Sequence, residues 1–183
     1  MAKPELSLLQ EAVKWAARLH RGQDRDGPYP LPYLTHPMDV LSLVRYKAGV
    51  TDEDILCTAA LHDVMEMCGV DREDVEKRFG PRVASLVVEL TRREPSLEET
   101  AGLSKDAVWQ LRSDILLEEI RMMSPEARIV KLADRLSNVV EGLATRKGKR
   151  LERYRRQSFL ILEIVPRETA PALWDGIRQA LGE

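Results

Sequence analysis

This chain of 183 residues has few cysteines, few aromatics and little net charge. Its two cysteines, Cys57 and Cys68, form no C-x-x-C pair and set up no disulfide framework, which points to a reducing compartment, the cytoplasm. No apolar run approaches the roughly 18 residues of a membrane span. The N-terminus lacks a signal-peptide pattern, so no secreted destination is expected. A formal net charge of −2 argues against a dedicated nucleic-acid binder. Internal repeats, low-complexity tracts and convincing alternating strands are also missing. With only 5% aromatic and 44% hydrophobic residues, and with Leu, Ala, Glu and Arg plentiful, the composition leans helical. The length suits a single domain spanning residues 1–183 with a sizeable core.

Hydrophobic periodicity predicts successive helices. Leu8, Leu9, Ala12, Val13, Ala16 and Leu19 form the first stripe, which ends near Arg21-Gly22. Residues 22–35 read as a Gly/Pro/Asp-rich loop. Pro37 opens a second helix, Met38 to Ala48, stopped by Gly49. Thr51, with Asp54 three residues on, reads as the N-cap of a third. Asp71 caps a helix ending at Phe79-Gly80, and Pro81 starts another. Residues 92–103 read as an exposed loop or lid. Ser104 and Ser124-Pro125 cap two long helices, a basic run from Arg146 to Arg156 lies on the next, and Pro166 separates that one from the last.

The third helix carries the main anomaly. From Ile55 to Met65 it is apolar on nearly every side, as expected of a helix inside a protein. At the same spacing the stripe then turns into His62, Asp63 and Glu66. A buried carboxylate costs several kcal/mol unless it is paired or coordinates a cation. A His-Asp hydrogen bond without a ligand is the simplest explanation, but a third ionisable group on the face favours a cation. His36, at a loop-to-helix junction, and Asp134, four residues before Asn138 on another helix, would complete a ligand set with His62 and Asp63. Imidazole and carboxylate donors suit Mn, Fe, Zn or Mg-like ions. Glu66, one turn beyond His62, can reach the open side of such an ion and orient a water.

The flanks make the set specific. "PYLTHP" (32–37), "AALHDVMEM" (59–67) and "VKLADRLSN" (130–138) together resemble the HD superfamily of metal-dependent phosphohydrolases. The nearest resemblance is to the hydrolase domain of RelA/SpoT-type enzymes and their small relatives. "HRGQDRDG" (20–27) and "FGPRVASLVVELT" (79–91) extend it over about residues 10–160. The resemblance implies an all-α HD-domain bundle of about eight helices, with Mn²⁺ held by His36, His62, Asp63 and Asp134. It implies removal of the 3′-pyrophosphate of the stringent-response alarmone (p)ppGpp. Glu66 and Asn138 would be catalytic, with Arg25, Lys131, Asn138 and Tyr154 facing the nucleotide.

Several positions depart from the pattern. Met67 stands where these hydrolases carry a second acid, Asp24 and Asp26 bring negative charge near the phosphate region, Glu141 replaces a threonine, and the segment 92–112 is long. Two alternatives therefore stay open. One is an HD phosphatase acting on another nucleotide, a dinucleotide phosphate or deoxynucleotide. The other is a metal-holding nucleotide-binding protein that turns over little because Met67 borders the water site.

Overall fold

The computed structural model describes residues 7–25 and 31–183. Asp26, one of the departures above, lies outside them. Within that range the architecture is all-α, and the only strand-like feature among the described residues is an isolated bridge between Asp24 and Pro32. Ser7 opens α1 (Leu8–Leu19) with a reciprocal capping box to Gln10. Next comes α2 (Thr35–Ser42), which runs on into a π-helical turn, Leu43–Lys47. It begins three residues earlier than the predicted Met38, so His36 falls in its first turn. The N-cap of α3 (Glu53–Leu61) is Asp52, which accepts from the Asp54 and Ile55 amides; Thr51, the expected cap, lies one residue too early.

Every residue of α3 from Ile55 to Leu61 is buried. The reason is its place between two cores. Ile55, Leu56 and Ala59 pack with Val40, Leu86, Leu132, Leu136 and Ile177. Cys57, Ala60 and Leu61 pack with Ala12, Trp15, Val75, Phe79 and Val83. Trp15 and Phe79 meet at 5.4 Å between ring centroids. Truncating a side chain here, such as Leu61, costs about 2–5 kcal/mol by the usual cavity penalty.

The predicted continuous helix through Met65 is broken. It ends at Leu61, and α4 (Val64–Cys68) starts afresh after Asp63, whose φ of −98° and ψ of −5° open the turn. Nothing in the local sequence marks this break, because each residue from Ala59 to Glu66 is compatible with helix. Gly69, at φ 66°, terminates α4 in the left-handed conformation that glycine adopts without a Cβ penalty. Next, α5 (Arg72–Leu90) bends at Gly80-Pro81, where the expectation had one helix end and another begin.

The segment 92–103 contains a short helix, α6 (Leu97–Thr100), closed by a Ser96/Glu99 capping box. The long helices α7 (Lys105–Met122) and α8 (Pro125–Thr145) start at Ser104 and Ser124, the two predicted caps. Finally, α9 (Gly148–Ile164) and α10 (Pro171–Leu181) close over α8, with Ile161, Leu173, Ile177 and Leu181 fully or nearly fully buried. This arrangement sets α8, the α3–α4 junction and the start of α2 around one point.

Candidate active site

At that point His36, His62, Asp63 and Asp134 meet. The two imidazoles face each other, with Nε2 atoms 3.3 Å apart. Asp134 Oδ1 lies 3.3 Å from His36 Nε2 and 4.0 Å from His62 Nε2. Asp63 Oδ2 lies 3.6 Å and 3.3 Å from the same two nitrogens. On an unbroken helix adjacent residues diverge by about 100°. The break after Leu61 is what brings His62 and Asp63 to one spot.

Each imidazole is oriented through its other nitrogen. His62 Nδ1 donates to the Ala59 carbonyl at 2.9 Å, and His36 Nδ1 is 3.2 Å from the Ser137 hydroxyl. For His62 this leaves the Nε2 lone pair directed inward, the tautomer a metal ligand requires. His36, His62 and Asp134 offer donor atoms all within 4.8 Å of one another, a spacing that suits a single ion. Charge agrees with the geometry. Two carboxylates, Asp63 and Asp134, are set against the one cation Lys131, whose Nζ lies 3.0 Å from Asp134 Oδ2, so one negative charge is left over when both imidazoles are neutral. Burial opposes a proton on His62, but the Asp63 and Asp134 carboxylates overcome it and push its pKa up to about 9. Asp134, although burial works against its charge, is held well below the usual carboxylate range by Lys131 and the two imidazoles. A field that draws in a proton this strongly also favours a divalent cation, so the residues present fit the metal that the sequence implies.

Around this cluster lies a cleft of about 220 Å³, lined among others by Arg25, Glu66, Arg92, Lys131, Asn138 and Tyr154. Asn138 Nδ2 donates to Asp134 Oδ1 at 2.5 Å, as expected for residues four apart on one helix face. Arg25 reaches the same place by donating to Asn138 Oδ1 at 3.1 Å and pairing with Glu141. Glu66 lines the cleft but is not buried: its side chain is 32% exposed, at the mouth. Burial still raises its pKa, with the Arg92 guanidinium pulling the other way. Met67, expected to border the same space, is 43% exposed and is not among the lining residues. The guanidinium carbons of Arg135 and Arg146 lie over the Tyr154 ring, 4.8 and 4.1 Å from its centroid.

A family model described as the HD domain matches residues 12–161. The chain belongs to the HD-domain family. It is 37% identical over 139 residues to a Drosophila melanogaster protein named guanosine-3′,5′-bis(diphosphate) 3′-pyrophosphohydrolase MESH1, a match covering 76% of this chain and 72% of that one. A Homo sapiens protein of the same name is 37% identical over 137 residues, covering 74% and 69%. The match to a Brucella melitensis protein named GTP pyrophosphokinase rsh is 33% over 153 residues, covering 81% of this chain and 19% of that longer one. A solved structure described as a metazoan ortholog of SpoT that hydrolyses ppGpp superposes with a TM-score of 0.83. It is 30% identical and covers 98% of this chain and 96% of its own.

Sequence reasoning missed several residues of this HD-domain cleft. Tyr33 donates its hydroxyl to Asp63 Oδ2 at 2.7 Å, stacks on buried His20 and lies edge-on to His36. Burial and the Asp63 carboxylate raise its pKa, so it stays a neutral donor. Its place three residues before His36 in PYLTHP was the available signal. Arg135 and Arg146 add two cations to Arg25, Arg92 and Lys131, giving five against the three carboxylates of Asp63, Glu66 and Asp134. Arg135, beside Asp134, was detectable from its neighbour. Arg92 and Arg146 were not, because only tertiary packing brings them to the cleft.

Proposed function

We propose that this chain is a metal-dependent phosphohydrolase that removes the 3′-pyrophosphate from a guanosine polyphosphate, ppGpp in the first instance. One observation carries the reading. A buried, negatively charged His₂Asp₂ cluster opens directly into a cleft lined by five basic side chains. Such a cluster calls for a divalent cation, and such a cleft for a ligand with several negative charges. The names of the relatives above support the same substrate.

In this reading His36, His62, Asp63 and Asp134 hold Mn²⁺ or another divalent ion, which supplies Lewis-acid activation of water and neutralises phosphate charge when bound. Tyr33 and Lys131 fix the orientation of Asp63 and Asp134 from outside the cluster. Glu66, raised in pKa and at the mouth, accepts the proton of the attacking water. Asn138 links Asp134 to Arg25, so one chain of hydrogen bonds joins the metal side to the phosphate side. Arg25 and Lys131 bind phosphate, and Tyr154, beside the guanidiniums of Arg135 and Arg146, lines the nucleotide side of the cleft. Residues 1–183 form one HD-type unit on this reading. No helix among the described residues is long and apolar enough to cross a membrane, and we place the protein in the cytoplasm.

A screen of the Mn²⁺-loaded protein for release of pyrophosphate or orthophosphate over a nucleotide panel tests the substrate. Turnover of ppGpp well above that of GTP, NADPH and dGTP is expected. Preference for one of the others would redirect the assignment to an HD phosphatase of that nucleotide. The reading of a binding protein with little turnover rested on Met67, and that side chain does not line the cleft.

A further inference from the structure

Arg92 is the first residue after the Thr91 cap of α5, in the segment expected to be an exposed loop, yet it lines the cleft. Its Nη2 is shared between Glu66 Oε1 at 3.2 Å and Glu94 Oε1 at 2.6 Å. Glu94 in turn accepts from Arg112 Nε of α7 at 2.8 Å. The Arg92 Nε is buried and finds no partner among the described residues. Thus one guanidinium is held by a single nitrogen between two carboxylates while another of its donors goes unused. That is a poor end state for a group whose planar fork suits two parallel hydrogen bonds. The segment carrying it is well anchored. Arg93 pairs with Glu99, its amide donates to Glu119, and Ser96 and Glu99 cap α6.

We propose that Arg92 is a phosphate-binding residue of the cleft, which restrains Glu66 in the free protein and passes to a phosphate of the bound ligand. This rests on the reading of the cleft given above. The balance of interactions favours the transfer. Glu66, Arg92 and Glu94 are each about a third to a half exposed, and ion pairs of that exposure contribute little. A phosphate inside the cleft offers two or more charged oxygens in the geometry the fork matches. When Arg92 moves, Glu66 loses its nearest cation and is free to take a proton from water. The ligand class is one with a phosphate or pyrophosphate group near Glu66, so a substrate without it leaves Glu66 tied.

The test reads binding apart from turnover. Calorimetric titration of the Mn²⁺-loaded protein with inorganic pyrophosphate, at fixed free Mn²⁺, compares wild type with Arg92→Ala, Arg92→Lys and Glu94→Gln. Arg92→Ala is expected to weaken affinity by about tenfold to a hundredfold, the range of a charged hydrogen bond, with Arg92→Lys in between. Glu94 does not line the cleft and competes for the guanidinium. Its replacement by Gln should tighten pyrophosphate binding by about two- to fivefold, the range of a part-exposed ion pair. Unchanged affinity in Arg92→Ala, or no pyrophosphate binding by the wild type, would overturn the proposal. So would Glu94→Gln weakening binding as much as Arg92→Ala, which would mean the network merely props the segment. A wild type that binds pyrophosphate through Arg92 but does not hydrolyse ppGpp would overturn the function proposed above and leave this inference standing.

Discussion

Stripping the divalent ion should destabilise the fold, and by an amount that can be worked out. On the reading proposed above the metal binds the folded chain alone, because His36, His62–Asp63 and Asp134 are brought together only by the meeting of α2, the α3–α4 break and α8. At free Mn²⁺ a hundredfold above the dissociation constant, linkage gives about 2.7 kcal/mol of stabilisation. For a chain of this size each kcal/mol moves Tm by about 2–4 °C, so chelation should lower Tm by about 5–11 °C. Each further tenfold of Mn²⁺ adds about 1.4 kcal/mol. The pH dependence should change sign with the metal. In the metal-free protein the His62 pKa, about 9, lies above its ordinary value of 6.5. The stabilisation from its proton is then complete below pH 6.5 and lost as pH rises through 9. In the loaded protein the ion takes the place of that proton, so stability rises with pH as the unfolded chain's histidines lose theirs. The assay is thermal unfolding over Mn²⁺ concentration and pH, for wild type and His62→Ala. A wild-type Tm indifferent to chelator, or a His62→Ala protein with the same Mn²⁺ increment, would refute the metal cluster.

Three further outcomes are expected. Glu66→Gln should keep its metal by elemental analysis yet lose about 10²- to 10⁴-fold in kcat, the usual worth of general acid–base help, and full activity would remove Glu66 from the chemistry. Arg25→Ala should raise KM for ppGpp by about tenfold with a smaller change in kcat, as for a contact equal in ground and transition states; an unchanged KM would leave Arg25 as a tie to Glu141 and Asn138 only. Met67→Asp should change ppGpp hydrolysis by no more than about twofold, as befits an exposed side chain away from the cleft lining, and a tenfold rise would restore the family's second acid to the mechanism.

Much of this molecule could be read from local signals. Caps such as Ser104 and Ser124 act on amides three residues away, so their helices were placed correctly from sequence. Between Thr51 and Asp52 both residue types can cap, and it is Asp52 whose side chain accepts from the Asp54 and Ile55 amides. The break at His62-Asp63 was invisible for the opposite reason: no residue there resists helix, and the turn is held by contacts with α2 and α8. The ligand candidates were legible because buried charge is costly wherever it occurs. Their surroundings were legible only in part. Lys131 and Asn138 follow from Asp134 by helical spacing, whereas Arg92 arrives from a segment 26 residues after Glu66 whose sequence reads as surface. Burial also misled at one point, since Glu66 shares the apolar stripe yet lies at the cleft mouth.

The most direct test of the central claim is product analysis of ppGpp incubated with the Mn²⁺-loaded protein, with the metal-depleted protein alongside. One GDP and one pyrophosphate are expected per ppGpp consumed, with turnover abolished by chelation and restored by Mn²⁺. Release of orthophosphate alone, or equal turnover without metal, would contradict that claim.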